Sequence, residues 1–228
     1  MKKIGFVGVF DKTDLILCIS KILTKAEARV LFIDATSIQK TKYVIPTIMP
    51  TISYLTDYQG IDIAVGFGDI NQVKEYCGIE ENDSLDYDYI FVDVDDYYGF
   101  ENFELSSFDL LYYVTSFDAY SLKKGIELLR FLEYPVKMSK LFYSKQMFKE
   151  EEQYFDYLAL GLKVEWEETK LYFPLENGDQ AALIENQRLE NIKFKNLSNI
   201  FKENVTYLVN EIEPSLGQKN IKNIIKDL

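Results

Sequence analysis

Short apolar runs that alternate with segments of helical periodicity constrain the fold of this chain more than any other feature. The runs are Ile4–Val9, Val30–Asp34, Ile61–Phe67, Tyr89–Asp93, Leu110–Val114, Val136–Tyr143 and Lys170–Pro174. Apolar residues recur at helical spacing in Thr13–Leu23, Ile70–Tyr76, Ser121–Leu132, Phe148–Leu160 and Leu197–Ile212. Because strands joined by helical crossovers form parallel sheets, the pattern predicts an α/β fold. It has three layers, α/β/α, with a mostly parallel central sheet that binds ligands at the carboxyl ends of its strands.

The length of 228 residues favours one large domain over two small ones. We predict that residues 1–216 form this domain and that residues 217–228 form a short amphipathic tail. Apolar runs such as Val30–Ile33 are too short to span a bilayer. The apolar segment that follows the first lysines is interrupted at Asp11 and Lys12, which is unlike a signal peptide. We therefore expect a cytoplasmic protein.

Composition excludes several classes of function. The chain has no histidine, which removes imidazole catalysis and histidine metal ligation. Its two cysteines, Cys18 and Cys77, are far apart in sequence and suggest neither a disulfide framework nor a metal site. With 25 basic and 37 acidic residues the net charge is −12, so the basic field that a nucleic-acid surface needs is lacking. Direct nucleic-acid binding is therefore disfavoured.

The turn between the first strand and the first helix carries the residues that point to a ligand. It reads Val7-Gly8-Val9-Phe10-Asp11-Lys12-Thr13-Asp14. A phosphate loop needs small residues, a lysine for the β- and γ-phosphate oxygens and a Ser or Thr for Mg²⁺, all at a helix amino terminus. Lys12 and Thr13 stand at that point. They are the strongest indication of a former or present phosphate site.

Four segments in the same order and at the same spacing resemble the ParA/MinD family of P-loop NTPases over at least residues 3–132. They are the turn just described, Leu31-Phe32-Ile33-Asp34 at the end of the second strand, Tyr87-Asp88-Tyr89-Ile90-Phe91-Val92-Asp93, and Phe108–Thr115 followed by a helix. The resemblance implies a P-loop NTPase-like fold that binds ATP with Mg²⁺ and dimerises across the loop. Carried over to this chain, the nucleotide residues are Gly8, Asp11, Lys12, Thr13 and Asp14, the Mg²⁺ residues are Thr13 and Asp93, and Asp34 and Asp95 lie nearby.

The departures from the family pattern fall on residues that hydrolysis needs. Val7 replaces the lysine that reaches across the dimer, and Thr36 replaces a carboxylate beside the attacking water. Glycines of the loop are replaced by Val9 and Asp11, and Asp11 places a carboxylate near a triphosphate. At ~4 Å and an effective dielectric near 20, one such pair of like charges costs roughly 4 kcal/mol. As an alternative to phosphate binding, Lys12 would pair with Asp11, Asp34 or Asp93.

These features favour a pseudo-ATPase that localises or assembles a larger complex, such as pilus, secretion, conjugation or partition machinery. On this interpretation the partners are other proteins and the pocket binds no nucleotide. The sequence leaves open whether the chain forms a homodimer. The alternative is an active ParA/MinD-type ATPase that uses ATP and Mg²⁺ to dimerise and to position DNA or another cargo. A third hypothesis is a binding module that uses the vacated pocket for a different ligand.

Two amphipathic segments have more than one interpretation. In the tail, Ile221, Ile224, Ile225 and Leu228 share one helical face, and lysines occupy the others. MinD-like proteins use such a tail to sit on membranes, which would make this chain a peripheral membrane binder. Alternatively, the tail docks on its own domain or on a partner. In the aromatic helix that begins at Phe148, we favour core packing over a partner surface.

Overall fold

A computed structural model describes residues 1–47, 52–144, 149–174 and 177–228. Its strands form one eight-stranded sheet in the order β3-β4-β2-β5-β1-β6-β7-β8, parallel except for the antiparallel pair β3 and β4. The strands are β1 (Lys2–Val7), β2 (Val30–Asp34), β3 (Tyr54–Tyr58), β4 (Ile61–Val65), β5 (Tyr89–Val94), β6 (Leu110–Ser116), β7 (Val136–Tyr143) and β8 (Val164–Tyr172).

Helices cover both faces of the sheet and complete the three predicted layers. They are α1 (Thr13–Lys25), α2 (Thr41–Val44), α3 (Ile70–Tyr76), α4 (Tyr97–Asn102), α5 (Ala119–Arg130), α6 (Lys149–Leu158), α7 (Asn177–Arg188), α8 (Asn199–Ile212) and α9 (Gly217–Asp227). One hydrophobic core packs α1, α7, α8 and α9 on the sheet, and a second core packs α3, α4, α5 and α6 on the opposite face.

The central position of β1 places the loop that follows it in the middle of the sheet edge. β1 pairs with β5 on one side and with β6 on the other, in parallel register. β5 also pairs with β2, and in that register Asp34 lies beside Asp93. The carboxyl ends of three neighbouring strands therefore converge on the turn that begins at Gly8, as the sequence predicts.

All seven predicted strands are present, but some elements were missed or mispositioned. β3 was not predicted, although it forms a hairpin with β4 through Gln59 and Gly60, which both have positive φ. Helices α2, α4 and α7 were also missed, and β8 begins six residues before the predicted start at Lys170. Of the predicted helix Phe148–Leu160, Phe148 lies outside the described residues. No helix among the described residues is long and apolar enough to cross a membrane.

The predicted tail is a helix, α9, but it packs as part of the domain. Ile221 is fully buried and Ile225 is 6% exposed, and α9 contacts α8 and α1. Ile224 and Leu228 pack against the same core. The apolar face that membrane contact would require is therefore covered by the chain itself, which is the alternative that the sequence left open.

The aromatic side chains of α6 divide between core and solvent. Phe155 is buried in the second core. Tyr154 is 43% exposed and Tyr157 is 68% exposed. The core interpretation is thus correct for Phe155 and wrong for the two tyrosines, because a short helix that lies on a sheet can bury only one stripe of its side chains.

Candidate functional site

The site begins at a tight turn after β1, where only a glycine fits. Gly8 has a φ of +134°, and its N–H donates to the carbonyl oxygen of Val94 at 3.0 Å. A Cβ atom at this position would lie 2.2 Å from the carbonyl oxygen of Val114. Since both the φ value and the close approach require a residue without a side chain, Gly8 fixes where the chain leaves the sheet and turns toward α1.

Lys12, the predicted phosphate-binding lysine, is turned into the protein. Its ammonium Nζ lies 2.5 Å from Oδ1 of Asp93 and donates to the carbonyl oxygen of Gly8 at 2.6 Å. The side chains of Lys12 and Asp93 are each only 2% exposed. Of the three partners that the sequence offered for Lys12, the structure pairs it with Asp93. The cation is therefore held between the turn and the end of β5.

Burial dominates the protonation of Asp93. Removal of this carboxylate from water raises its pKa above the ordinary value, the Lys12 ammonium opposes that rise, and the neighbouring Asp34 adds to it. The charged state of Asp93 therefore depends on the presence of Lys12. Any ligand that drew Lys12 away would leave a buried carboxyl group that favours protonation.

Asp34 does not pair with Lys12, because the segment after β2 already satisfies it. Its Oδ1 accepts from the backbone N–H and the hydroxyl of Thr36, at 3.1 and 2.6 Å. Its Oδ2 accepts from the backbone N–H and the hydroxyl of Thr41, at 3.1 and 2.5 Å. With four donors and 1% exposure, Asp34 organises the chain between β2 and α2. Thr36, which stands where the family has a second carboxylate, supports this turn.

Asp11 and Asp14 share a partner that sequence reasoning missed. Oδ1 of Asp11 accepts from the backbone N–H of Thr13 at 3.1 Å, and its Oδ2 forms an ion pair with Lys40. Lys40 also lies 3.4 Å from Oδ2 of Asp14. The amide of Gln187 on α7 donates to both oxygens of Asp14, at 3.0 and 2.8 Å. Lys40 therefore links the loop to the segment before α2.

The local environment of Asp14 differs from that of an exposed helix-start carboxylate. Burial raises its pKa, whereas Lys40 and the Gln187 hydrogen bonds lower it. Neither Lys40 nor Gln187 belongs to a recognisable motif, since each comes from an irregular or weakly amphipathic segment. No sequence signal assigned them to the site.

The carboxylates of Asp95 and Asp96 accept hydrogen bonds from residues of neighbouring segments. Asp95 accepts from the N–H of Ser37 at 2.8 Å and from its hydroxyl at 2.7 Å. Asp96 is the N-cap of α4 and accepts from the N–H of Gly99 at 2.7 Å. The segment after β5 therefore begins a helix at Asp96.

Two pockets open on either side of the contact between Asp11 and Lys40. The first has a volume of about 210 Å³ and is lined by Val9, Phe10, Asp11, Lys12, Thr13, Thr36, Ile38, Lys40, Asp93 and Asp95. The second, of about 270 Å³, is lined by Phe10, Asp11, Asp14, Leu15, Lys40, Tyr143, Gln180, Leu183, Ile184 and Gln187. Phe10 lines both, and its ring stacks on Tyr143 with 4.6 Å between ring centroids.

The structure brings most of the predicted site residues to one pocket, with three exceptions. Asp11, Lys12, Thr13, Asp93 and Asp95 line the first pocket, and Asp14 lines the second instead. Gly8 and Asp34 shape the walls without lining either pocket. Within the described ranges, no group of three or more acidic or cysteine side chains is arranged to hold a metal ion. A Mg²⁺ at Thr13 and Asp93 would therefore need further ligands, such as phosphate oxygens.

Comparison with known proteins assigns the fold. The structure is similar to the MinD cell division protein of Aquifex aeolicus, with a TM-score of 0.53 and 16% identity over 92% of this chain and 97% of that one. It is also similar to a chain of the MinC:MinD complex of the same organism, at a TM-score of 0.51, 15% identity and coverages of 100% and 95%. For apo McdA of Cyanothece the TM-score is 0.51, with 11% identity and 99% coverage of both chains.

No protein-family model matches the chain, and no curated protein sequence does either. The structural similarities therefore rest on backbone geometry at very low identity. They show that the chain has a ParA/MinD-like fold.

Proposed function

We propose that this chain is a ParA/MinD-like protein that does not hydrolyse ATP and acts by localising or assembling a larger protein complex. The observation that carries the proposal is the inward pairing of Lys12 with Asp93 and the Gly8 carbonyl. In an active phosphate loop, the lysine charge is directed at the phosphates. Here the protein itself takes up that charge.

A nucleotide would have to compete with the internal pairing. To reach a phosphate, the Lys12 ammonium must leave Asp93, whose carboxylate is 2% exposed. Breaking a buried ion pair on one side typically costs about 3–5 kcal/mol, because the remaining charge has no compensation. Protonation of Asp93 would relieve part of this cost, but it would also remove a ligand that Mg²⁺ requires. The internal ion pair therefore weakens the binding of both the nucleotide and Mg²⁺.

The charges lining the pocket also oppose a triphosphate. Asp11, Asp93 and Asp95 face two lysines, Lys12 and Lys40, and both lysines are already paired with carboxylates. The branched Val9 and the ring of Phe10 occupy the wall where a glycine-rich loop would offer backbone N–H groups. Val7 and Thr36 supply neither a second lysine nor a carboxylate for water positioning. The residues present fit a magnesium–triphosphate group poorly.

A retained fold without hydrolysis fits a role in protein assembly. The similar MinD of Aquifex aeolicus has been solved as a complex with MinC, so this fold is compatible with a protein partner. The net charge of −12 disfavours DNA as the direct ligand. We therefore infer that the partners of this chain are proteins, and that their binding does not require a nucleotide cycle.

The test measures nucleotide binding and turnover together. We expect that millimolar ATP with Mg²⁺ produces no thermal shift and no phosphate release from the natural chain. The double change Val9→Gly/Asp11→Gly removes the bulk and the like charge from the loop. It should strengthen nucleotide binding at least tenfold, since one like-charge contact is worth roughly 4 kcal/mol before screening.

A matched control separates local from global charge. Asp83 is an exposed aspartate far from the pocket, so Asp83→Gly removes the same charge from a different loop. This variant should bind ATP no better than the natural chain. ATP turnover by the natural chain would overturn the proposal and support the active ATPase. Tight nucleotide binding without turnover would overturn the account of the obstructed pocket.

A further inference from the structure

Three exposed aromatic side chains and one half-buried one form a patch on the face of the sheet covered by α4 and α5. We call Tyr97, Tyr98, Phe131 and Tyr134 the aromatic patch. The Tyr97 ring lies 5.5 Å from the Phe131 ring and 6.3 Å from the Tyr98 ring, measured between centroids. Tyr98 is 76% exposed, Phe131 56% and Tyr134 42%. Tyr97 thus joins Tyr98 and Phe131, and Tyr134 lies near enough to affect the Tyr97 hydroxyl.

The backbone beneath the patch is held firmly. Asp96 caps the first turn of α4, and the Tyr134 hydroxyl contacts the hydroxyl of Ser106 at 3.3 Å. Below the patch, Phe100 and Leu129 are fully buried in the second core. Exposed aromatic rings on a rigid support bury large areas on binding while losing little conformational freedom, which is why such residues are enriched at protein interfaces.

Acidic side chains flank the rings. Desolvation raises the pKa of the Tyr97 hydroxyl, and the nearby carboxylates of Glu101 and Glu133 raise it further. Glu101 is half-buried beside Tyr97, so a ring and a carboxylate lie side by side at the edge of the patch.

We propose that the aromatic patch binds an arginine-containing segment of a partner protein. A guanidinium group stacks on tyrosine rings and donates to carboxylates in the same plane, which matches rings beside Glu101 and Glu133. The net charge of −12 attracts a basic segment over longer distances. The same charge disfavours a second copy of this chain as the occupant, because two acidic surfaces would repel each other. The patch lies outside both pockets.

The test uses a short fluorescent peptide in which arginine alternates with serine, and the same peptide with neutral citrulline in place of arginine. Anisotropy should show binding of the arginine peptide and at least tenfold weaker binding of the citrulline peptide. The double change Tyr98→Ala/Phe131→Ala should weaken binding of the arginine peptide about tenfold, as expected for two central aromatic contacts. Both side chains are exposed, so the variant should keep the thermal stability of the natural chain.

Tyr43 provides the matched control, because it is 83% exposed on α2 and lies outside the patch. Tyr43→Ala should bind the arginine peptide as the natural chain does. Equal binding by the Tyr98→Ala/Phe131→Ala variant would overturn the proposal by showing general charge attraction, and no binding by any chain would overturn it as well. Sedimentation that shows a dimer lost in the Tyr98→Ala/Phe131→Ala variant would assign the patch to a second copy and contradict the arginine occupant.

Discussion

The loop after β1 and the helix α9 both carry groups that the family resemblance directs toward an external ligand, and both turn those groups inward. In the loop, the ammonium of Lys12 contacts Asp93 instead of phosphate. In α9, Ile221 and Ile225 contact the core instead of lipid. The comparison matters because two different forces hold the two regions.

The inward state of Lys12 depends on one opposing charge, whereas the inward state of α9 depends on apolar area. An ion pair in a buried site offsets desolvation only while both charges are present. Apolar burial adds over many contacts and tolerates the loss of any single one better. The loop therefore remains responsive to charge, while α9 is packed on the domain by its apolar face.

Removal of α9 should have the largest effect on stability. A chain that ends at Leu216 loses two buried isoleucines and two partly buried side chains, worth roughly 5 kcal/mol at about 2 kcal/mol for each fully buried residue. Urea unfolding measures the difference. The milder change Ile221→Ala should destabilise by about 3 kcal/mol, and Lys222→Ala on the exposed face of α9 should change stability little.

The same chains test the membrane interpretation of the tail. Because the apolar face of α9 is covered, anionic vesicles should sediment the full chain no better than the chain that ends at Leu216. Binding that requires α9 would show that the helix detaches from the domain. The position of α9 would then respond to an external charged surface, as the position of Lys12 responds to charge.

The next largest effect should come from the buried ion pair. Lys12→Met leaves Asp93 without its partner and should destabilise the fold by about 4 kcal/mol at a pH high enough to keep the carboxylate charged. The double change Lys12→Met/Asp93→Leu removes both charges and should recover most of that loss. Chemical unfolding of Lys12→Met, Asp93→Leu and the double variant gives the coupling energy between the two residues. Additive effects would show that the pair contributes no coupling.

The pH dependence of Lys12→Met sharpens this test. Burial raises the folded-state pKa of Asp93 above its unfolded value, and loss of the lysine raises it further. Between the folded-state pKa of Asp93 in the natural chain, about 7, and its higher pKa in the variant, only the folded variant binds the extra proton. The deficit of Lys12→Met should therefore shrink as pH falls toward about 7 and level off at lower pH. A deficit that stayed constant above pH about 7 would mean that Asp93 remains charged in the variant.

How far the sequence predicts these regions depends on the kind of signal each one carries. A strand, a turn and a helix in succession place Lys12 beside Asp93, because parallel strands bring their carboxyl ends together. Periodicity likewise predicts α9. Lys40 and Gln187 have no such signal, since they reach the site from an irregular segment and from α7, where Asp179, Ala182 and Leu183 are the buried ones among the described side chains. Whether Lys12 faces a ligand or Asp93 is a balance of charges that local patterns do not encode.

The smallest effect should come from Lys40, which sharpens the contrast between buried and exposed charge. Its side chain is 29% exposed and is paired with Asp11 and Asp14, so Lys40→Gln should change the free energy of unfolding by about 1 kcal/mol or less. Lys124→Gln, which breaks the exposed pair with Glu127 on α5, is the matched control and should have a similarly small effect. Thermal melts at low and high salt measure both. If Lys40→Gln cost as much as Lys12→Met, the link between the loop and α2 would belong with the buried charges, and the loop would be held by a network instead of one pair.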